Sequence, residues 1–206
     1  MIGFYNISVI LTYLGLASTI IGITFAIGGD FNIALIFLLI SGLCDMFDGR
    51  VARAMKNRTD LEKSFGIQID SLCDLICFTL FPAIMGYCLG GNIVLRMVSS
   101  IMIVLAGVIR LGYFNVMEIK RQGESQEKLV RYTGLPVTST ALIIPVTFLA
   151  YDKIGAALFP TFFQCTLMVL SILFLVKIRV KKPGLIGLVI MSIVGFSIFI
   201  NYLLKL

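Results

Sequence analysis

Two neighbouring stretches decide the fold: NIALIFLLISGLCDMFDGRVARA at residues 32–54 and, after a polar break, SFGIQIDSLCDLICF at residues 64–78. Each belongs to an apolar run long enough to cross a bilayer, which takes about 20 residues. Each also carries two aspartates at the end facing the break: Asp45 and Asp48 in the first, Asp70 and Asp74 in the second. Carboxylates at membrane depth are costly and point to function by default. Asp45 and Asp48 are spaced i,i+3, and Asp70 and Asp74 i,i+4, so each pair projects from one face of a helix. Two antiparallel helices joined by a short loop bring the pairs together.

Outward from this hairpin, the chain reads as seven apolar segments, roughly 7–28, 32–54, 65–90, 92–117, 134–151, 154–177 and 183–204. Short breaks fall at Gly28-Gly29-Asp30, Gly90-Gly91-Asn92 and Asp152-Lys153, and longer polar ones at 55–64, 118–133 and 178–183. Of 206 residues 59% are hydrophobic and only 14% charged, against about 25% charged in soluble domains. Mean hydropathy is +1.03. The expected fold is all-α, a polytopic transmembrane helix bundle forming a single membrane-embedded domain over residues 1–206. The first apolar stretch follows no basic n-region and no small-residue cleavage site, so it is expected to be a retained transmembrane helix.

With the N-terminus cytoplasmic, alternate breaks place Arg50, Arg53, Lys56, Arg58, Lys63, Arg110, Lys120, Arg121, Lys128, Arg131, Lys177, Arg179, Lys181 and Lys182 on the cytoplasmic side. Only Arg96, Lys153 and Lys205 fall outside. This positive-inside bias supports both the number of spans and their direction. The net charge of +6 then faces the anionic leaflet, and no nucleic-acid partner is needed to explain it.

Histidine is absent, which excludes Ser-His and Cys-His nucleophile systems and leaves a carboxylate, Lys, Tyr or Cys as any general base. The five cysteines (Cys44, Cys73, Cys77, Cys88 and Cys165) lie in apolar segments without zinc-ligand pairing. They are expected to be buried packing residues.

Four carboxylates so close together repel one another, and divalent cations relieve that repulsion. Magnesium or manganese suits an all-oxygen site shared with substrate phosphates, and two such ions can clamp both oxygens of a phosphoryl displacement. Gly49 beside Asp48 and Gly66 four residues before Asp70 allow backbone and phosphate to approach closely. Arg53 can offer a bidentate fork to a pyrophosphate. One intramembrane Asp alone could be an ion-pair partner or a helix cap; four together with these neighbours are poorly explained that way. Asp30, Asp60, Glu62, Glu118, Glu124, Glu127 and Asp152 fall in breaks and read as solvated.

The stretch 45–74 resembles the signature of the CDP-alcohol phosphatidyltransferase family, Asp-x-x-Asp-Gly-x-x-Ala-Arg followed by Gly-x-x-x-Asp-x-x-x-Asp. The matching positions are Asp45, Asp48, Gly49, Ala52, Arg53, Gly66, Asp70 and Asp74. The spacer between Arg53 and Gly66, twelve residues, is longer than the family's usual one. The resemblance implies a six-helix core, to which residues 183–204 add one C-terminal span, with the active site near the cytoplasmic face. It implies that Asp45, Asp48, Asp70 and Asp74 hold two metal ions, Mg2+ or Mn2+, and that Asp74 is the general base. It also implies that Asp45, Asp48, Gly49, Ala52, Arg53, Gly66 and Asp70 bind the nucleotide pyrophosphate, and that the chain forms a homodimer.

Arg110-Leu111-Gly112-Tyr113-Phe114-Asn115 and Tyr132-Thr133-Gly134-Leu135-Pro136 resemble segments of the family's serine-using bacterial and archaeal branch. Asn6 with Thr12 resembles that branch's opening motif, with Tyr5 in place of its proline. Serine's carboxylate calls for a cation, and Arg110 or Arg131 can supply one; Asn115 and Thr133 join them as candidate acceptor contacts. The alternatives are a snorkelling anchor for Arg110, a helix cap for Asn6 and a helix start for Gly134-Leu135-Pro136. The expected activity is transfer of the phosphatidyl group from CDP-diacylglycerol to L-serine, in the cytoplasmic (inner) membrane with the site facing the cytoplasm. The same chemistry on glycerol 3-phosphate or an inositol phosphate is the nearest alternative. A cation transporter is remote, because such sites favour the midplane, broken helices and repeats.

Overall fold

Helix α1 (Ile7–Gly28) begins where Asn6 caps it: Asn6 Oδ1 accepts from the Val9 N–H at 3.1 Å and from Ser8 Oγ at 2.7 Å. Such a cap satisfies donors that the first turn leaves free. The helix ends on Gly29 at φ 88°, a left-handed position, with the Gly29 and Asp30 N–H groups returning to Ala26 O and Phe25 O. That Schellman closure turns the chain back into α2 (Phe31–Ala54). Small residues let the two helices lie close. A Cβ on Gly15 would meet Cys44 Cβ at 3.2 Å, and one on Gly22 would meet Phe37 Cβ at 2.9 Å. Ser18 donates to Phe37 O, and Thr19 to Ser41 Oγ, across the same seam.

The computed structural model describes residues 3–4, 6–55, 59–124, 131–177, 179–181, 195, 197, 199–200 and 202. The third span starts earlier than its apolar run, at α3 (Asp60–Leu75), because Thr59 and Glu62 form a reciprocal capping box. Asp60 and Glu62 therefore sit in a helical first turn, not a break, and Asp60 pairs with Lys63 at 2.9 Å. A π-helical turn (Ile76–Leu80) follows, then α4 (Phe81–Cys88). After the Gly90-Gly91 break, α5 (Ile93–Glu124) runs past residue 117 into the polar stretch.

Strand β1 (Arg131–Thr133) leads through Gly134 (φ 84°) and Pro136 into a 3-10 turn (Val137–Ser139) and α6 (Thr140–Phe148). The expected helix from 134 thus begins later, since that glycine and the extended Pro136 hold the chain out of helix. A single turn, α7 (Tyr151–Ile154), precedes Gly155 at φ 82°. Helix α8 (Phe159–Leu175) then leads to β2 (Arg179–Lys181), which pairs antiparallel with β1, Arg131 facing Lys181 and Thr133 facing Arg179. This ribbon is a small β addition to an otherwise helical architecture.

Among the described residues, Ile7–Gly28, Phe31–Ala52, Asp60–Cys88 and Ile93–Glu118 are long and apolar enough to cross a membrane, while Val137–Phe148 and Phe159–Leu175 are shorter apolar helices. Most of the expected seventh span, 183–204, lies outside the described residues; Tyr202, within it, donates to Pro145 O at 2.7 Å. The surface suits lipid: Ile7, Leu14, Met97, Ile101 and Leu105 are exposed while Thr19, Ser41 and Thr140 are buried. Phe31, Phe148, Phe159 and Phe163 cluster at the end where α2 and α8 begin and α6 ends.

Candidate active site

The opposite end of α2 carries Asp45 and Asp48, and α3 brings Asp70 and Asp74 to meet them. Asp45, Asp70 and Asp74 each offer a carboxylate oxygen, and these oxygens all lie within 4.8 Å of one another. Asp48 and Asp74 are buried, while Asp45 and Asp70 are half-buried. A narrow cavity between α1, α2 and the third span is lined by Thr12, Ser41, Asp45, Asp48, Asp74 and Cys77, among others. Asp48 is on that cavity wall with Thr12 Oγ1 2.7 Å from its Oδ2. Thr12 Oγ1 is also 3.1 Å from Ser8 O; the shorter contact is to the carboxylate, which a hydroxyl donates to more strongly.

Like charges 4 Å apart repel by about 4 kcal/mol at an effective dielectric of 20. Among the described residues no lysine or arginine pairs with Asp45, Asp70 or Asp74. An all-oxygen, strongly anionic donor set drawn from two helices is the chemistry that a hard divalent cation takes. The cluster of Asp45, Asp70 and Asp74 can therefore hold a metal, with Asp48 alongside.

The other motif residues lie on the same two helices. Gly49 and Ala52 follow Asp48 on α2, and Gly66 sits one turn before Asp70 on α3. Arg53 is on the last turn of α2, with its side chain outside the described part. The acceptor candidates divide. Asn115 on α5 accepts from Ser71 Oγ at 2.8 Å and donates to Gln68 Oε1 at 3.4 Å, which ties α5 to α3 beside Asp70. Arg110 donates from Nη1 to Phe174 O and from Nη2 to Gly134 O, each at 3.3 Å. It thereby staples the end of α8 to the segment after β1. Arg131 and Thr133 are on β1, with side chains outside the described part.

Three polar partners are absent from the site residues that the sequence points to. Thr12 figured there as part of an opening motif and not as a partner of Asp48; Ser71 and Gln68 had no signal beyond lying on the Asp70–Asp74 helix. Of the cysteines, Cys73 and Cys77 are buried and Cys44 half-buried, as packing residues are. Cys88 and Cys165 are exposed instead, on a surface where a thiol, being nearly apolar, loses little in lipid.

A family model described as CDP-alcohol phosphatidyltransferase matches residues 5–179. The chain belongs to the CDP-alcohol phosphatidyltransferase family. With its apolar helices, that membership makes it an integral membrane protein. The phosphatidyltransferase match takes in all four aspartates and every candidate acceptor residue, and it stops before the last apolar segment. Similar proteins include archaetidylserine synthase of Methanothermobacter thermautotrophicus, 34% identical over 72% of this chain and 60% of that protein. CDP-diacylglycerol–serine O-phosphatidyltransferase of Saccharomyces cerevisiae is 33% identical over 60% of this chain and 46% of its own length. The enzyme of that name from Helicobacter pylori is 31% identical over 68% of this chain and 54% of its own. The chain thus spans only about half to three-fifths of the length of these curated relatives.

Proposed function

We propose that the chain transfers the phosphatidyl group of CDP-diacylglycerol to the hydroxyl of L-serine, giving phosphatidylserine and CMP. The observation that carries this reading is the convergence of Asp45, Asp70 and Asp74 within 4.8 Å, in a family member whose similar relatives are named for serine lipids. Asp45, Asp48, Asp70 and Asp74 would hold Mg2+ or Mn2+, as two ions. When bound, the ions offset charge on the phosphoryl oxygens and on the departing CMP.

The chain's own residues do the rest. Asp74 takes the proton of the serine hydroxyl as its oxygen attacks the phosphorus bearing the diacylglycerol. The bond from that phosphorus to the bridging oxygen breaks, and its electron pair leaves with CMP. Arg53 binds the pyrophosphate, and Gly49, Ala52 and Gly66 keep the facing helix surfaces small enough for it to approach. Thr12 holds Asp48 in orientation. Arg110 and Asn115 frame the acceptor side together with Arg131 and Thr133 on β1. The staple from Arg110 to Gly134 O sets where β1 presents that segment.

The unit acts as one membrane-embedded domain and pairs with a second copy. Its positive-inside bias supports an orientation in the cytoplasmic membrane with the aspartates facing the cytoplasm. The test is CMP release from CDP-diacylglycerol in detergent with Mg2+ or Mn2+, comparing serine with glycerol 3-phosphate and inositol phosphate. Serine-dependent release abolished by chelator is the expected result. Release with another acceptor only would discard serine while keeping the chemistry, and no release with any alcohol from folded protein would overturn both.

A further inference from the structure

The third span is not a uniform α-helix. Directly after Asp74 and Leu75 the chain widens into the π turn Ile76–Leu80, in which the Phe81 N–H reaches back five residues to Ile76 O. One residue added to a helix rotates everything beyond it by about 100°, and such turns concentrate at functional sites. The backbone groups that the irregularity disturbs must find partners inside the bundle, because lipid supplies none. Thr79 Oγ1 donates to Leu75 O. Pro82 has no N–H with which to serve Phe78 O four residues back. That carbonyl lies 2.8 Å from Thr140 Oγ1, on the first residue of α6.

The Thr140 hydroxyl is also 2.8 Å from Val137 O. Val137 O already receives the Thr140 backbone N–H, so Phe78 O is the carbonyl with more need of the hydroxyl proton. Phe78, Thr79 and Thr140 are all buried, at 0–1% exposure. The contact joins elements that are 62 residues apart in the chain.

We propose that Thr140 is a positioning residue for the aspartates of α3. By holding Phe78 O it fixes the π turn, and with it the angle at which Asp74 faces Asp45. Thr140 also closes the segment that runs from β1 through Gly134, Pro136 and the 3-10 turn. The same contact therefore ties the acceptor-side segment to the carboxylates. The inference rests on the phosphatidyl-transfer reading for its catalytic consequence, but its geometric part stands on metal affinity alone.

Thr140→Val keeps the shape and removes the hydroxyl; Thr140→Ser keeps the hydroxyl. Two readouts on the purified full chain separate the cases: Mn2+ binding followed by electron paramagnetic resonance, and the kcat and KM of CMP release. For Thr140→Val the expected result is about tenfold weaker Mn2+ binding and about tenfold lower kcat, with KM for the lipid donor little changed. Thr140→Ser should restore both. In the background of Pro82→Ala, which gives Phe78 O a backbone donor, Thr140→Val should have a smaller effect on Mn2+ binding than it has alone. Unchanged Mn2+ binding in Thr140→Val, or equal impairment of the Val and Ser variants, would overturn the proposal. So would strictly additive effects of Pro82→Ala and Thr140→Val. Mn2+ bound normally by a wild type without turnover would sink the transfer reading and leave this one to the binding data.

Discussion

The two ends of helix α2 sit in opposite chemical surroundings. Near Phe31, the rings of Phe148, Phe159 and Phe163 interlock, with centroids 5.1 Å apart for Phe148 and Phe159 and 5.3 Å for Phe148 and Phe163. About 25 Å along the same helix, Asp45 and Asp48 meet the carboxylates of α3. Among lipid chains, apolar side chains gain little by leaving their solvent, so the aromatic end stabilises the bundle through close packing and edge-to-face ring geometry. The carboxylate end does the reverse: like charges are held together with no cation from the described residues on three of them. Close ring packing and gathered negative charge are thus placed at opposite ends, and a single helix carries both.

Substitutions at the two ends should separate these roles. The largest effect belongs to Asp74→Asn, expected to lower transfer by about 10³-fold or more while the protein still inserts and keeps some nucleotide binding. Near-normal turnover in that variant would remove Asp74 as the base. Next is Phe159→Ala at the aromatic end, expected to cost about 3 kcal/mol of stability through the cavity left behind. Turnover per folded molecule should stay near wild type; a matching loss of kcat in folded protein would show that the two ends are not separable.

Asp45→Asn sharpens the contrast by changing sign with conditions. With chelator present it should raise thermal stability by about 1 kcal/mol, since one charge leaves the repelling cluster. With Mg2+ present it should lower stability relative to wild type and raise the half-saturating metal concentration. Identical melting curves in both conditions would argue against a metal at this cluster. The smallest effect is expected from Thr12→Val. Loss of one hydrogen bond to a carboxylate should raise the metal requirement several-fold with little change in melting temperature. A metal requirement like that of wild type would leave Thr12 as a helix residue only.

Much of this was legible in the linear chain for identifiable reasons. Spans leave long apolar runs, and i,i+3 and i,i+4 carboxylates announce a shared helix face, so Asp45, Asp48, Asp70 and Asp74 stand out without coordinates. The start of α3 at Thr59-Asp60-Leu61-Glu62 did not stand out, because the polar composition of 55–64 hid the capping box. Arg110 and Asn115 were visible as motif residues, whereas their partners were not. A backbone carbonyl such as Phe174 O or Gly134 O leaves no mark in the side-chain pattern. The π turn is equally silent, because one added residue in a uniformly apolar helix does not change its composition.

The amino-acid sequence by itself determined that this protein is a membrane-spanning helical bundle with an acidic signature at one end, because hydropathy and helical periodicity are local properties of the chain. Only the tertiary structure decided which groups those aspartates meet. Thr12 against Asp48, Ser71 against Asn115 and Thr140 against Phe78 O join residues 36, 44 and 62 positions apart. Such pairings depend on how helices pack and rotate against one another, and no local pattern of side chains encodes that.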